Sequence, residues 1–212
     1  MKKIMVVDYR MGNLKSVVNA LTFVGADAFI SEDKADVAKA DAFVLPGVGA
    51  FGEAMENLQR LDLEAPLRDA VVGRKKPLLG ICLGMQLLAE SSEEKGRHRG
   101  LGWIPGEVVR LSPGAGLRLP HVGWNSLEIL RPGGFLPRAD QKADYYFVHS
   151  YHVRAAADVV VATCRYGEPF AAALRADNIF AVQFHPEKSQ WSGLQLLRGF
   201  AAAVQAGEGP AC

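Results

Sequence analysis

Gly80-Ile81-Cys82-Leu83-Gly84 holds one cysteine between two glycines, after the apolar run from Lys76 to Ile81 and before the helix-compatible Met85-Gln86-Leu87-Leu88-Ala89-Glu90. This spacing predicts a short buried strand that turns sharply into a helix, with residues lacking a Cβ on both sides of the bend. The side chain at the apex is pushed outward, its sulfur near the positive end of the following helix, a field that favours thiolate over thiol. Cys82 then reads as a nucleophile. A small buried cysteine at the end of a core strand accounts for the same five residues, and on the pentapeptide alone both readings stand.

The rest of the first half repeats the alternation of strand and helix. Ile4 to Asp8 reads as a strand, and Leu14 to Val24 as a helix with Leu14, Val17, Val18 and Leu21 on one face. Ala28 to Ser31 and Ala42 to Leu45 read as strands; Glu53 to Val72 carries helical spacing, with a break expected near Pro66. Such alternation implies right-handed crossovers and a largely parallel sheet covered on both faces. Functional loops of such sheets gather at the carboxyl ends of the strands, where Pro46-Gly47-Val48-Gly49 and the Cys82 turn both fall.

From Trp103 to Pro186 the pattern changes to short β-like runs: Gly106 to Leu111, Trp124 to Leu130, Tyr145 to Val153, Val159 to Cys164, Phe170 to Arg175 and Ile179 to Phe184. Antiparallel strands added to the parallel sheet are the expectation. Ser189 to Val204 returns to helix. Without an internal repeat or linker, residues 1–206 are expected to form one α/β domain and residues 207–212 a frayed tail.

Composition excludes several classes of function. The 212 residues carry a net charge of +1 with no basic stripe, so nucleic-acid binding has no electrostatic support. No apolar stretch reaches membrane-spanning length; the basic-then-apolar start ends at Asp8 and reads as the first strand. Cys82, Cys164 and Cys212 lie far apart without a CxxC pair, which suits a reducing cytoplasm and argues against a disulfide scaffold. No histidine pair has ligand spacing with a carboxylate partner, so metal binding is not expected; no cofactor is expected either. Cys164 reads as core, and Cys212 as part of a frayed end.

A nucleophilic thiol needs a base and a group that orients the base. His185 follows the apolar strand Ile179 to Phe184, and in an extended segment Glu187 faces the same way as His185. Glu187 is expected on one ring nitrogen and the thiol on the other, with Pro186 keeping His185 out of the helical region. A surface histidine and glutamate in a strand-to-helix loop is the competing reading.

Gly80-Ile81-Cys82-Leu83-Gly84-Met85-Gln86, taken with Gln183-Phe184-His185-Pro186-Glu187, resembles the class I glutamine amidotransferases. The resemblance covers essentially the whole chain. It narrows, through Pro46-Gly47-Val48-Gly49-Ala50-Phe51, Pro120-His121-Val122-Gly123-Trp124-Asn125 and Tyr146-Phe147-Val148-His149-Ser150-Tyr151, to glutaminases that deliver ammonia to a cyclase subunit in histidine biosynthesis. Asp8-Tyr9-Arg10-Met11-Gly12-Asn13-Leu14 and Glu187-Lys188-Ser189 agree, although Arg10 stands where the resemblance leads one to expect glycine. It implies a single-domain, flavodoxin-like three-layer fold, a cytoplasmic enzyme, and a heterodimer with a (β/α)8-barrel partner.

The resemblance further implies that Cys82, His185 and Glu187 form a triad hydrolysing glutamine through a thioester. Backbone N–H groups of Leu83 and Val48 are expected to form the oxyanion hole. The glycines around Val48 allow its peptide to point away at rest and inward on activation; an ordinary strand-ending turn is the alternative. Gly49, Gln86, His149, Ser150 and Tyr151 are implied to bind glutamine, although His149 and Tyr151 also suit half-buried strand positions. Asn13, Trp124, Tyr146 and Lys188 are placed at the partner interface, with a core tryptophan and a solvated lysine as competing readings. Other readings are a glutaminase serving anthranilate, purine or pyrimidine synthesis, a catalytically silent scaffold, and a free-standing γ-glutamyl hydrolase. The Pro120–Asn125 segment speaks against the first, and the intact triad against the second. Full activity without a partner would mark the last.

Overall fold

A computed structural model of the chain describes residues 1–131, 135–136 and 143–207. Its centre is an eight-stranded sheet in the spatial order Asp27–Ser31, Lys3–Val7, Ala42–Leu45, Leu78–Ile81, Ile179–Val182, Glu168–Ala176, Val160–Tyr166, Glu128–Ile129. The first five strands in that order pair in parallel and the last three join antiparallel. The inner parallel strands Ala42–Leu45, Leu78–Ile81 and Ile179–Val182 are buried at every position. A strand covered on both faces requires such an unbroken apolar run.

Successive side chains enter opposite layers. Met5 and Val7 join one core with Phe51, Ala54, Met55 and Leu58 of helix Phe51–Arg60. Ile4 and Val6 join the other, with Val17 and Leu21 of helix Leu14–Phe23 and Leu197 and Phe200 of helix Gln190–Ala206. A four-stranded sheet containing Gly106–Arg110 and Tyr151–Ala155 extends the first layer, and the antiparallel pair His121–Ser126 and Asp144–His149 extends the second. No helix among the described residues is long and apolar enough to cross a membrane.

Four local expectations change. The break expected at Pro66 falls earlier: helix Phe51–Arg60 ends, and Asp62 takes φ +54° before helix Glu64–Arg68. Pro66 lies in the first turn of that second helix, where its missing N–H has no intrahelical partner to lose. The run Tyr145 to Val153 is two strands, Asp144–His149 and Tyr151–Ala155, parted at Ser150 because they pair in different sheets. The run Trp124 to Leu130 starts earlier, at His121, and divides at Leu127 between two sheets. The helix after Cys82 spans only Leu83–Leu87. Of the expected frayed tail, residues 208–212, Cys212 included, lie outside the described residues. Gly207, at φ +79°, closes the last helix.

The segments starting at Asp8, Pro46, Cys82 and Gln183 all leave carboxyl ends of parallel strands and converge on one edge. Close packing there depends on Gly84, where a Cβ would lie 1.7 Å from the Leu45 carbonyl oxygen. Gly84→Ala should therefore cost more than about 3 kcal/mol or prevent folding. Gly25→Ala, at φ +91° but in open space, should cost about 1–2 kcal/mol. Equilibrium denaturation of the two variants checks the contrast.

Candidate active site

Cys82 ends strand Leu78–Ile81 at φ +53° and ψ −109°, with its N–H bonded to the Val182 carbonyl at 2.8 Å. The left-handed residue is thus the cysteine itself. The flanking glycines serve a different need from the one expected. Gly84 admits the Leu45 carbonyl, and a Cβ on Gly80 would press on Leu88, Ala181 and Met85 at 3.0–3.2 Å. A non-glycine residue in this conformation costs about 1–3 kcal/mol and persists only where its surroundings hold it. Cys82 Sγ accepts from Gln183 Nε2 at 3.6 Å and lies 3.9 Å from the Val148 carbonyl oxygen.

His185 Nδ1 pairs with Glu187 Oε1 at 2.8 Å, both side chains at most 3% exposed. The route differs from the extended one expected: Pro186–Lys188 is a 3-10 turn that brings the carboxylate back onto the ring. Burial alone lowers the pKa of His185, but Cys82 and Glu187 on its two sides outweigh it and raise the value to about 10. Nε2, the nitrogen left for the thiol, makes no bond of hydrogen-bonding geometry among the described residues. The His185 N–H donates to Tyr146 O at 2.9 Å, and Ser189 Oγ accepts from Tyr146 N at 2.9 Å while donating to His185 O at 2.6 Å.

Val48, Gly49, Leu83, Gln86, His149, Ser150 and Tyr151 line one cavity of about 400 Å³ with Cys82. The turn carrying Val48 is anchored from below: Tyr9 Oη donates to the Pro46 carbonyl at 2.5 Å, filling the space a Gly47 side chain would need. Gly49 takes φ +115° against Met11. Arg10 adopts φ +69°, a conformation in which glycine is at ease. Its N–H donates to Asp8 Oδ1 at 2.8 Å, and its guanidinium pairs with Glu32 at 2.6 Å.

Both ring nitrogens of His149 are engaged, with His121 at 3.0 Å and Tyr151 O at 2.9 Å, so neither is free for a ligand. Gln86 Nε2 likewise bonds Tyr151 O and Gln183 Oε1. Glu94, Pro120 and Val148 line the same cavity and were not foreseen. Nothing local distinguishes Glu94 in Ser92-Glu93-Glu94; the strand pairing around it brings it to the cavity. Gln183 was missed although the sequence places it directly after the apolar run of strand Ile179–Val182 and two residues before His185.

Of the proposed interface residues, Trp124 is 48% exposed and Lys188 and Asn13 are exposed. Tyr146 joins two of them: its ring meets Trp124 edge-on at 6.0 Å and lies 5.8 Å below Lys188 Nζ. Asn13 instead caps helix Leu14–Phe23, accepting from Ser16 N. Cys164 is a core thiol that burial pushes up to about 12. No group of three or more His, Cys, Asp or Glu side chains among the described residues is placed to hold a metal ion.

Residues 5–202 match the sequence model of a family described as glutamine amidotransferase class-I. Imidazole glycerol phosphate synthase subunit HisH 1 of Campylobacter jejuni is 49% identical over 197 residues, 93% of this chain and 98% of its own. The subunit HisH of Rhodopirellula baltica is 48% identical over 201 residues, 94% and 97% of the two chains. Among solved structures, one described as a glutamine amidotransferase superposes with a TM-score of 0.73 at 22% identity, covering 95% of this chain and 98% of its own. PurLQS from Thermotoga maritima gives 0.73 at 18%, covering 97% and 98%. At such identities the two structures establish the fold alone.

The raised pKa of His185 has a testable cause. Nuclear magnetic resonance of the imidazole should show it protonated to about pH 10, and Glu187→Gln should move the titration to clearly lower pH. A raised folded value stabilises fully below the unfolded value near 6.5, and that contribution is lost as pH rises through about 10. The variant should thus lose stability at neutral pH and lose less between neutral and pH 10.

Proposed function

This chain belongs to the class-I glutamine amidotransferase family, and from that membership we propose that it is the glutaminase of an imidazole glycerol phosphate synthase. It hydrolyses glutamine to glutamate and ammonia, and the ammonia passes to a (β/α)8-barrel cyclase subunit that makes imidazole glycerol phosphate and an aminoimidazole carboxamide ribotide. The observation that carries the reading is Cys82 on its left-handed turn beside the buried His185–Glu187 pair. Relatives nearly half identical over almost their full length support the particular synthase.

The Cys82 thiolate attacks the side-chain carbonyl carbon of glutamine. The tetrahedral oxyanion collapses to a γ-glutamyl thioester as ammonia leaves with a proton from His185. His185 then removes a proton from the water that cleaves the thioester. Glu187 holds the ring in its tautomer and offsets imidazolium charge. Leu83 and Val48 supply the oxyanion donors; Val48 turns inward when the partner engages, a rotation that Gly49 at φ +115° permits. Glu94 brings a carboxylate to the cavity and suits the α-ammonium of the substrate. Backbone groups of the His149–Tyr151 segment contact the rest of the glutamine, since the His149 ring is already committed.

The aromatic cluster of Trp124 and Tyr146 with Lys188 forms the partner-facing patch beside the triad, and Asn13 belongs to the same edge. Cytoplasmic location follows from the reading, as does a heterodimer.

Glutamate release from glutamine should be slow in the isolated chain and rise strongly when the cyclase subunit and its nucleotide substrate are present. Cys82→Ala should reduce it by at least about 10³-fold under every condition. Gly49→Ala, whose Cβ would meet Met11 at 2.6 Å, should blunt the stimulation by the partner. No activity in the wild-type complex would overturn the assignment, and full stimulation in Gly49→Ala would remove the switch at Val48.

A further inference from the structure

The carbonyl oxygen of Tyr151 can only accept hydrogen bonds, and this sets the direction of a chain of bonds on both sides of it. Gln86 meets it at 2.9 Å, so the Gln86 atom there is the amide nitrogen, whose second hydrogen goes to Gln183 at 3.1 Å. Gln183 must therefore turn its oxygen toward Gln86. Its own amide then faces the other way, 3.6 Å from Cys82 Sγ. On the far side, the same carbonyl accepts from His149 Nδ1 at 2.9 Å. His149 Nε2 is then an acceptor for His121 Nδ1 at 3.0 Å, and His121 Nε2 accepts from Asn125 at 3.3 Å. Burial keeps both rings neutral, His121 near 4 and His149 near 3, as this arrangement requires.

On the reading that Cys82 is the nucleophile, we propose that Gln183 is a further catalytic residue whose carboxamide donates to the Cys82 sulfur and favours thiolate over thiol. An amide donor binds a charged sulfur more strongly than a neutral one. Cys82 is buried, 6% exposed as a residue, so little water can supply that bond instead. Gln183 is fully buried, and its oxygen is pinned by Gln86, so the donor cannot turn away. A carboxamide buried here without such a task would carry a desolvation cost that an apolar side chain avoids. The bond moves no proton itself; it shifts the balance of the thiol's own ionisation.

Alkylation of Cys82 by iodoacetamide, resolved by peptide mass and followed against pH on the full chain, reads the thiolate fraction without glutamine or partner. Gln183→Met keeps the length and removes the donor. Its midpoint should rise by about one pH unit, so that alkylation below the midpoint is roughly tenfold slower. In the complex, kcat for glutamine should fall with KM little changed. Gln86→Met, which unpins Gln183, should show a smaller shift in the same direction and replaces Gln183→Met if that variant does not fold. An unshifted midpoint in folded Gln183→Met, or in Gln86→Met where it stands in, overturns the proposal. A shifted midpoint in a protein whose wild-type complex releases no glutamate would support Gln183 and overturn the glutaminase reading instead.

Discussion

Cys82 is held at φ +53° and ψ −109°, and the arrangement of the site follows from keeping it there. The parallel strands Ala42–Leu45 and Ile179–Val182 flank it, and the bond from its N–H to Val182 carries the ladder up to the turn itself. The next helix begins at once, with Gly84 against the Leu45 carbonyl. The sulfur therefore leaves the sheet at its carboxyl edge, where the turns after Leu45 and Val182 deliver Val48 and His185. A relaxed backbone at Cys82 would keep the sheet and lose the convergence.

Burial alone would make the site's histidines alike, since it disfavours the charged form of each. Their neighbours separate them. His185 has the Cys82 sulfur and Glu187 against it and is raised, whereas burial lowers His121 and His149, whose bonded partners are each other, an amide and a carbonyl, with no carboxylate among them. One ring is thus equipped to carry a proton, and two are equipped to hold a fixed direction of hydrogen bonding. Burial also pushes the Cys164 thiol up to about 12; Cys82 Sγ, by contrast, lies 3.6 Å from the Gln183 amide nitrogen.

The proposed triad is legible because its parts are local in sequence: a glycine-bracketed cysteine after an apolar run, and a histidine two residues before a glutamate. The parallel core was legible for a related reason, since strands buried on both faces are written as unbroken apolar runs. Pairings across the sheets were not. Gln86 meets Tyr151 and Gln183 across 65 and 97 residues of chain, and no period in the sequence predicts which carbonyl a buried amide finds. The break at Asp62 is not legible from Pro66, because a proline in the first turn of a helix is compatible with that helix. The division of Tyr145 to Val153 at Ser150 depends on two separate partner strands, which the segment's own residues do not reveal.

Tyr146 links the exposed patch to the turn that carries His185. Its side chain lies with Trp124 and Lys188 on the exposed patch, and its backbone bonds both His185 and Ser189. On the proposed interface, a partner pressing on that patch would act on the strand whose Tyr146 carbonyl accepts from the His185 N–H. The proposed chemistry is covalent, with glutamine opened by the sulfur of Cys82. Acid quenching of the working complex during turnover, followed by peptide mass analysis, tests it most directly. A γ-glutamyl group on the peptide containing Cys82, lost again when glutamine is exhausted, is the predicted result. Steady glutamate formation with that peptide unmodified at every time, or with the group on another residue, would contradict it.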